Sequence, residues 1–154
     1  MKKHLGMSLA IGLTAGTWAF IAETFGLTPW PAFIGWSIFF FTGGDFNACK
    51  KSLPCILLGA VLGWAAASTQ IALGTSGVTS ALVILVLAFT MTIAQSLPIF
   101  SVASATFIGC SHYFGTGSLF DAAVITSIGL VLGIISVYIG SFLNKKVLKI
   151  NTEP

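Results

Sequence analysis

The stretch Phe33-Ile34-Gly35-Trp36-Ser37-Ile38-Phe39-Phe40 decides the fold, because it returns as Phe107-Ile108-Gly109-Cys110-Ser111-His112-Tyr113-Phe114, 74 positions later (107 less 33). Two shorter stretches return in the same order at nearly the same offset. Ile21-Ala22-Glu23-Thr24 meets Ile93-Ala94-Gln95-Ser96, 72 positions on (93 less 21). Gly59-Ala60-Val61-Leu62-Gly63 meets Gly129-Leu130-Val131-Leu132-Gly133, 70 positions on (129 less 59). A single apolar match of this kind is ordinary, but three in register point to an internal duplication. The expected repeats cover about residues 5–73 and 80–143 of one transmembrane domain, 1–154.

The setting of those repeats follows from composition. Of 154 residues, 56% are hydrophobic and only 7% are charged, against about 25% charged in a water-soluble domain. Mean hydropathy is +0.99. So few charges cannot keep a surface solvated in water, whereas hydrocarbon requires none. The lipid bilayer is the expected surrounding. Net charge is +3, from seven lysines and no arginine, too weak and scattered for nucleic acid.

A membrane-crossing helix needs about 20 mostly apolar residues. Six runs qualify: Leu5–Ala22, Pro29–Phe46, Leu53–Leu73, Ser80–Leu97, Ile99–Phe114 and Leu119–Leu143. Turn chemistry separates them, as at Thr28-Pro29-Trp30-Pro31, Thr42-Gly43-Gly44-Asp45, Gly74-Thr75-Ser76-Gly77 and Gly115-Thr116-Gly117-Ser118. The expected fold is all-α, a polytopic bundle of six transmembrane helices. The first run follows Lys2 and Lys3 like a signal peptide, but it exceeds the usual h-region and lacks a good small-x-small site near Ala19–Ala22. It is expected to remain as a helix.

Lysines set the orientation. They cluster at Lys2–Lys3, Lys50–Lys51 and Lys145–Lys146 with Lys149. Six crossings place all three clusters on one side, and the loops around Glu23, Gly74–Thr79 and Asp121 on the other, without lysine. The positive-inside rule then assigns both termini to the cytoplasm. A re-entrant second segment would violate that rule at Lys50–Lys51, so a crossing over Pro29–Phe46 is expected. Three crossings per half is an odd number, so the halves enter the bilayer in opposite senses. Inverted repeats of this kind build many secondary transporters, with solute sites where short or Gly/Pro-interrupted helices meet. The second and fifth segments answer that description, each preceded by proline (Pro31, Pro98) and ended by glycine.

The solute-pathway candidates therefore lie there: Phe33, Gly35 and Ser37, with Phe107, Gly109 and Ser111. The aromatics and glycines would form a constriction, and the hydroxyls would meet a neutral solute. The competing reading is helix packing through small residues, with each serine bonded to its own helix. Glu23 would carry protons or ions if buried. At a helix end it would meet water, and its partner Gln95 is neutral. His112 would relay protons or bind solute, or else serve packing. Asp121 suits a helix N-terminus, and Asp45 reads as a solvated turn residue. Trp18, Trp30, Trp36 and Tyr138 include interface anchors, Trp30 best placed. Gly59–Gly63 and Gly129–Gly133 favour close helix contact, within the chain or between protomers. Cys49, Cys55 and Cys110 do not fit a zinc motif and read as packing residues. No nucleophile elbow, phosphate loop or carboxylate pair is present. The expectation is a non-enzyme without metal or cofactor.

The Trp-Pro-x-Phe-x-Gly-Trp run (Trp30–Trp36), the Phe-rich stretch up to Gly43-Gly44 and the all-membrane layout resemble the YcdZ-type group of small bacterial inner-membrane proteins. The resemblance covers nearly the whole chain. It implies a membrane location and fold, and no activity or functional residue. Taken together, the residues favour a channel or transporter for a small neutral or weakly charged solute, working as a homo-oligomer. The alternative is a non-transporting scaffold or accessory subunit.

Overall fold

The computed structural model describes residues 2–74 and 76–147, so Lys149 and Thr75 of the sequence reading lie outside the described residues. Among the described residues there are six α-helices and no strand: α1 Lys2–Thr24, α2 Trp30–Phe41, α3 Phe46–Leu73, α4 Gly77–Ile93, α5 Ala103–Thr116 and α6 Thr126–Phe142. Short 3-10 turns at Ala94–Ser96 and Pro98–Phe100 join α4 to α5. A π-turn at Asp121–Ile125 leads into α6, and another at Leu143–Val147 follows it.

Four helical stretches are long and apolar enough to cross a membrane: His4–Thr24, Phe46–Leu73, Gly77–Ser96 and Asp121–Lys146. The six helices are thus unequal in length. Helix α2 has 12 residues and α5 has 14, roughly 18 and 21 Å at about 1.5 Å per residue, against a ~30 Å hydrocarbon core. The causes are local. Gly43 and Gly44 take positive φ (126° and 69°) and turn the chain after Phe41, so Phe46 belongs to α3 instead of the second segment. Pro98 opens a 3-10 turn and delays α5 to Ala103.

Asp45, expected in a solvated turn, is the N-cap of α3. Its Oδ1 accepts from the Ala48 N–H at 2.8 Å. Ser76 caps α4 in the same way through the Thr79 N–H. Asp121 caps nothing on its own helix; Ser118 Oγ accepts the Asp121 N–H there.

The helices alternate in direction. Gly6 of α1 packs on Asn144 and Met7 on Gly140, while the Trp18 indole N–H, at the other end, donates to the Pro29 carbonyl. Thus α1 runs antiparallel to α6. Along α6, Gly35 meets Thr126, Ala32 and Trp36 meet Gly129, and Phe39 meets Gly133, so α2 runs parallel to it. Cys49 of α3 reaches the Leu130 carbonyl. On α3, Ile99 meets Cys55, Thr106 and Cys110 meet Gly59, and Tyr113 meets Gly63, so α5 follows α3. The Met7/Asn144 end and the Thr28/Asp121 end are opposite ends of the bundle.

The most extensive helix pairings are α3 with α5 and α2 with α6, with α1 laid on α6 and α4 on α3. The outer surface is apolar: Phe20, Phe25, Phe41, Ile71 and Val78 are each at least 70% exposed. In water such a surface would aggregate; in lipid it is the solvated face. Threonine hydroxyls follow the same logic. Thr14, Thr17, Thr24, Thr69, Thr90 and Thr92 each donate to the carbonyl four residues back, which satisfies them without water.

Candidate functional site

Two helix crossings and one polar chain make up the site. Each crossing is closed by glycines that let backbones touch. A Cβ on Gly35 would overlap the Thr126 carbonyl, and one on Gly129 would overlap the Ala32 carbonyl. In the other half, a Cβ on Gly109 would overlap the Ile56 carbonyl, and one on Gly59 the Thr106 carbonyl. These are the same contacts made twice. Gly35 and Gly109, and Ala32 and Thr106, differ by 74; Gly59 and Gly129, and Ile56 and Thr126, differ by 70. The third glycine repeats the pattern, with Gly63 against Tyr113 and Gly133 against Phe39. The Gly-x-x-x-Gly pairs therefore serve contact within this chain.

The predicted pathway residues do not converge. Phe33 and Phe107 are 38% and 40% exposed, and Ser37 and Ser111 also face outward. Ser37 donates to the Ile34 carbonyl of its own helix at 2.7 Å. Glu23 is exposed at the end of α1, and Gln95 is half-buried in the 3-10 turn after α4. The two lie at opposite ends of the bundle. The sizeable grooves are open and apolar. One of ≈ 390 Å³ lies between α3 and α4, lined by Leu62, Ala66, Leu82 and Val86 among others. Another, of ≈ 430 Å³, lies between α3 and α6, beside Leu53, Leu57, Val124 and Val131.

His112 is different. It is 2% exposed, and its Nδ1 is hydrogen-bonded to Thr126 Oγ1 on the first turn of α6. The Thr126 hydroxyl donates to the Asp121 carbonyl at 3.2 Å, across the π-turn. With the hydroxyl proton given to that carbonyl, the Thr126 oxygen accepts from Nδ1–H. The Asp121 carboxylate takes the Thr28 hydroxyl at 2.9 Å, tying the loop before α2 to the start of α6. The Trp30 ring stands edge-on to the imidazole at 4.7 Å and 86°, and also rests beside Gly115. It is therefore a cover on His112. His112 Nε2 is buried with no hydrogen-bond partner among the described residues. Leaving such an atom unpaired costs about 1–3 kcal/mol.

The sequence singled out His112 and Asp121 separately but missed Thr126, which links them, and gave Thr28, which holds the Asp121 carboxylate, only as a turn residue. The available signal was the duplication: Thr126 stands where the first half has Ile56. Among the described residues no group of three or more His, Cys, Asp or Glu could hold a metal ion, and Cys49, Cys55 and Cys110 are free thiols.

No curated protein and no solved structure matches the chain. A family model described as "Protein of unknown function (DUF1097)" matches residues 8–143, nearly the full set of helices, and the chain belongs to that family.

Proposed function

We propose that this protein is a channel or transporter for a small neutral or weakly charged solute, built from two inverted three-helix repeats. The observation that carries the reading is the reciprocal crossing: short α2 is locked on α6, and short α5 on α3, through repeat-related glycines and carbonyls. Alternating helix directions make the first half up-down-up and the second down-up-down, the relation that lets two halves rock about a shared centre. A nearly uncharged interior suits an uncharged cargo, because a buried ion requires partners. The outward serines on α2 and α5 favour a path between copies of the chain over one through a single bundle, and hence a homo-oligomer. We further propose a non-catalytic protein of the bacterial inner membrane. The lysine asymmetry favours cytoplasmic termini, and the Trp30–Trp36 run supports a place in the YcdZ-type group.

The test is flux. Purified protein in proteoliposomes should accelerate entry of small amides or polyols above empty vesicles. Rates equal to empty vesicles across such a panel would sink the transport reading. A scaffold is the second reading, favoured by the dry backbone contacts at both crossings. Cysteines placed at Ser37 and Ser111, in a chain lacking Cys49, Cys55 and Cys110, separate the two. Labelling by water-soluble thiol reagents requires a wet path, and full protection supports the scaffold.

A further inference from the structure

The two halves fill one position with opposite chemistry. Counting back by the repeat offsets, His112 corresponds to Ile38 and Thr126 to Ile56, both buried apolar residues. The fold therefore does not need a polar pair there; one half manages with hydrocarbon. In the second half the pair is held in place. Thr126 fixes Nδ1, the Asp121 carbonyl fixes the Thr126 hydroxyl, and Thr28 fixes the Asp121 carboxylate. The support stands on a π-turn, a helix irregularity that often marks functional sites. This arrangement orients one group, Nε2, which is left buried and unpaired among the described residues. With Nδ1 carrying the proton, Nε2 presents a lone pair and accepts.

We propose that His112 Nε2 is the acceptor of a binding site for a small neutral hydrogen-bond donor, an amide or hydroxyl compound, at the Thr28/Asp121 end of the bundle. Thr126 and Asp121 position the imidazole. Trp30 is the cover, and at 39% exposed it is the one partner of the histidine open to the outside. Treating the bound molecule as cargo rests on the transport reading above; the binding site itself does not.

The chain has two histidines, His4 and His112, so a His4→Gln variant labelled with ¹⁵N-histidine reports on His112 alone. In lipid nanodiscs, Nδ1 should resonate as protonated and Nε2 as unprotonated. Acetamide should shift Nε2 saturably, and N,N-dimethylacetamide, which has no N–H, should not. Thr126→Val should release the ring into mixed tautomers. A protonated Nε2 in the unliganded protein would leave no acceptor there, and would overturn the proposal. So would equal responses to the two amides. His112→Ile, which installs the residue of the other half, should fold with native helicity and slow acetamide flux at least 10-fold. Unchanged flux in that variant removes the site from the path and overturns it as a cargo site. If the parent protein shows no flux while Nε2 still binds acetamide, the transport reading fails and the site stands.

Discussion

The flanks of the two halves differ where their centres agree. Helix α1 buries Gly6, Ala10, Thr14, Trp18 and Ala22 against α6, one residue per turn. Counting forward by 72, α4 has Val78, Leu82, Val86, Thr90 and Ala94 at these positions. Val78, Leu82 and Val86 are 59% exposed or more, and a groove of ≈ 390 Å³ opens between α4 and α3. In the first two turns Gly6 and Ala10 let α1 settle on its neighbour, where Val78 and Leu82 hold α4 away from its own. In lipid no hydrophobic effect drives helices together, so close fit decides. The comparison teaches that backbone contact at the centre is common to both halves, while adhesion at the flank is set residue by residue.

The centre should be the least tolerant region. Gly59→Val and Gly129→Val each push side-chain atoms into a carbonyl that cannot move aside. The expected loss is about 3 kcal/mol or more, at the top of the overpacking range. Both variants should fail to give a cooperative melt in detergent, and equally so. Gly16→Ala, where a Cβ meets nothing, should leave the midpoint unchanged or raise it by up to about 1 kcal/mol of stability. A stable Gly129→Val protein would break the equivalence of the two crossings.

The flank comparison is sharpened by exchange. Ala10→Leu gives α1 the residue that α4 carries, in a spot with no exposed surface, and should cost about 1–3 kcal/mol. Amide exchange should quicken along α1 alone. The reverse change, Leu82→Ala, touches an exposed side chain and should stay within about 0.5 kcal/mol. If both changes cost the same, side-chain size does not explain the groove.

The polar pair gives a subtler contrast. Thr126→Ile strands His112 Nδ1 and should cost about 1–3 kcal/mol. Adding His112→Ile recreates the apolar pair of the first half and should restore most of that loss. Thermal unfolding of the two single variants and the double variant reads the coupling. Additive losses would show that the second half has lost the ability to accommodate hydrocarbon there.

Much of this was legible in the sequence. Hydropathy and lysine spacing indicated the membrane helices, and the recurring Phe-Ile-Gly-x-Ser stretch identified the two segments that cross their neighbours. Local signals then misled at the ends of those segments. The phenylalanines up to Phe41 and Phe46 read as one apolar run, because hydropathy is blind to the positive φ that Gly43 and Gly44 supply. The face that Ser37 and Ser111 present was not legible either, because a motif records spacing alone; glycine at Gly35 and Gly109 took the inner face and turned the serines outward. Thr126 was invisible because a lone threonine in an apolar helix ordinarily bonds its own backbone. Only its contact with His112, across the turn between α5 and α6, gives it meaning.

The two acids at helix starts make the smallest test. Asp45 caps α3 with its side chain, whereas Asp121 hands that job to Ser118 and holds Thr28 instead. A cap works by accepting a backbone N–H, which asparagine does nearly as well as aspartate. Asp45→Ala should therefore cost about 1 kcal/mol, and Asp45→Asn only a few tenths. The difference is read by thermal midpoint and by amide exchange at Ala48. Should Asp45→Asn fall as far as Asp45→Ala, the carboxylate acts through its charge, with Lys50 and Lys51 in the next turn as its partners. The start of α3 would then depend on salt, and raising ionic strength would lower the parent protein to the level of the variants.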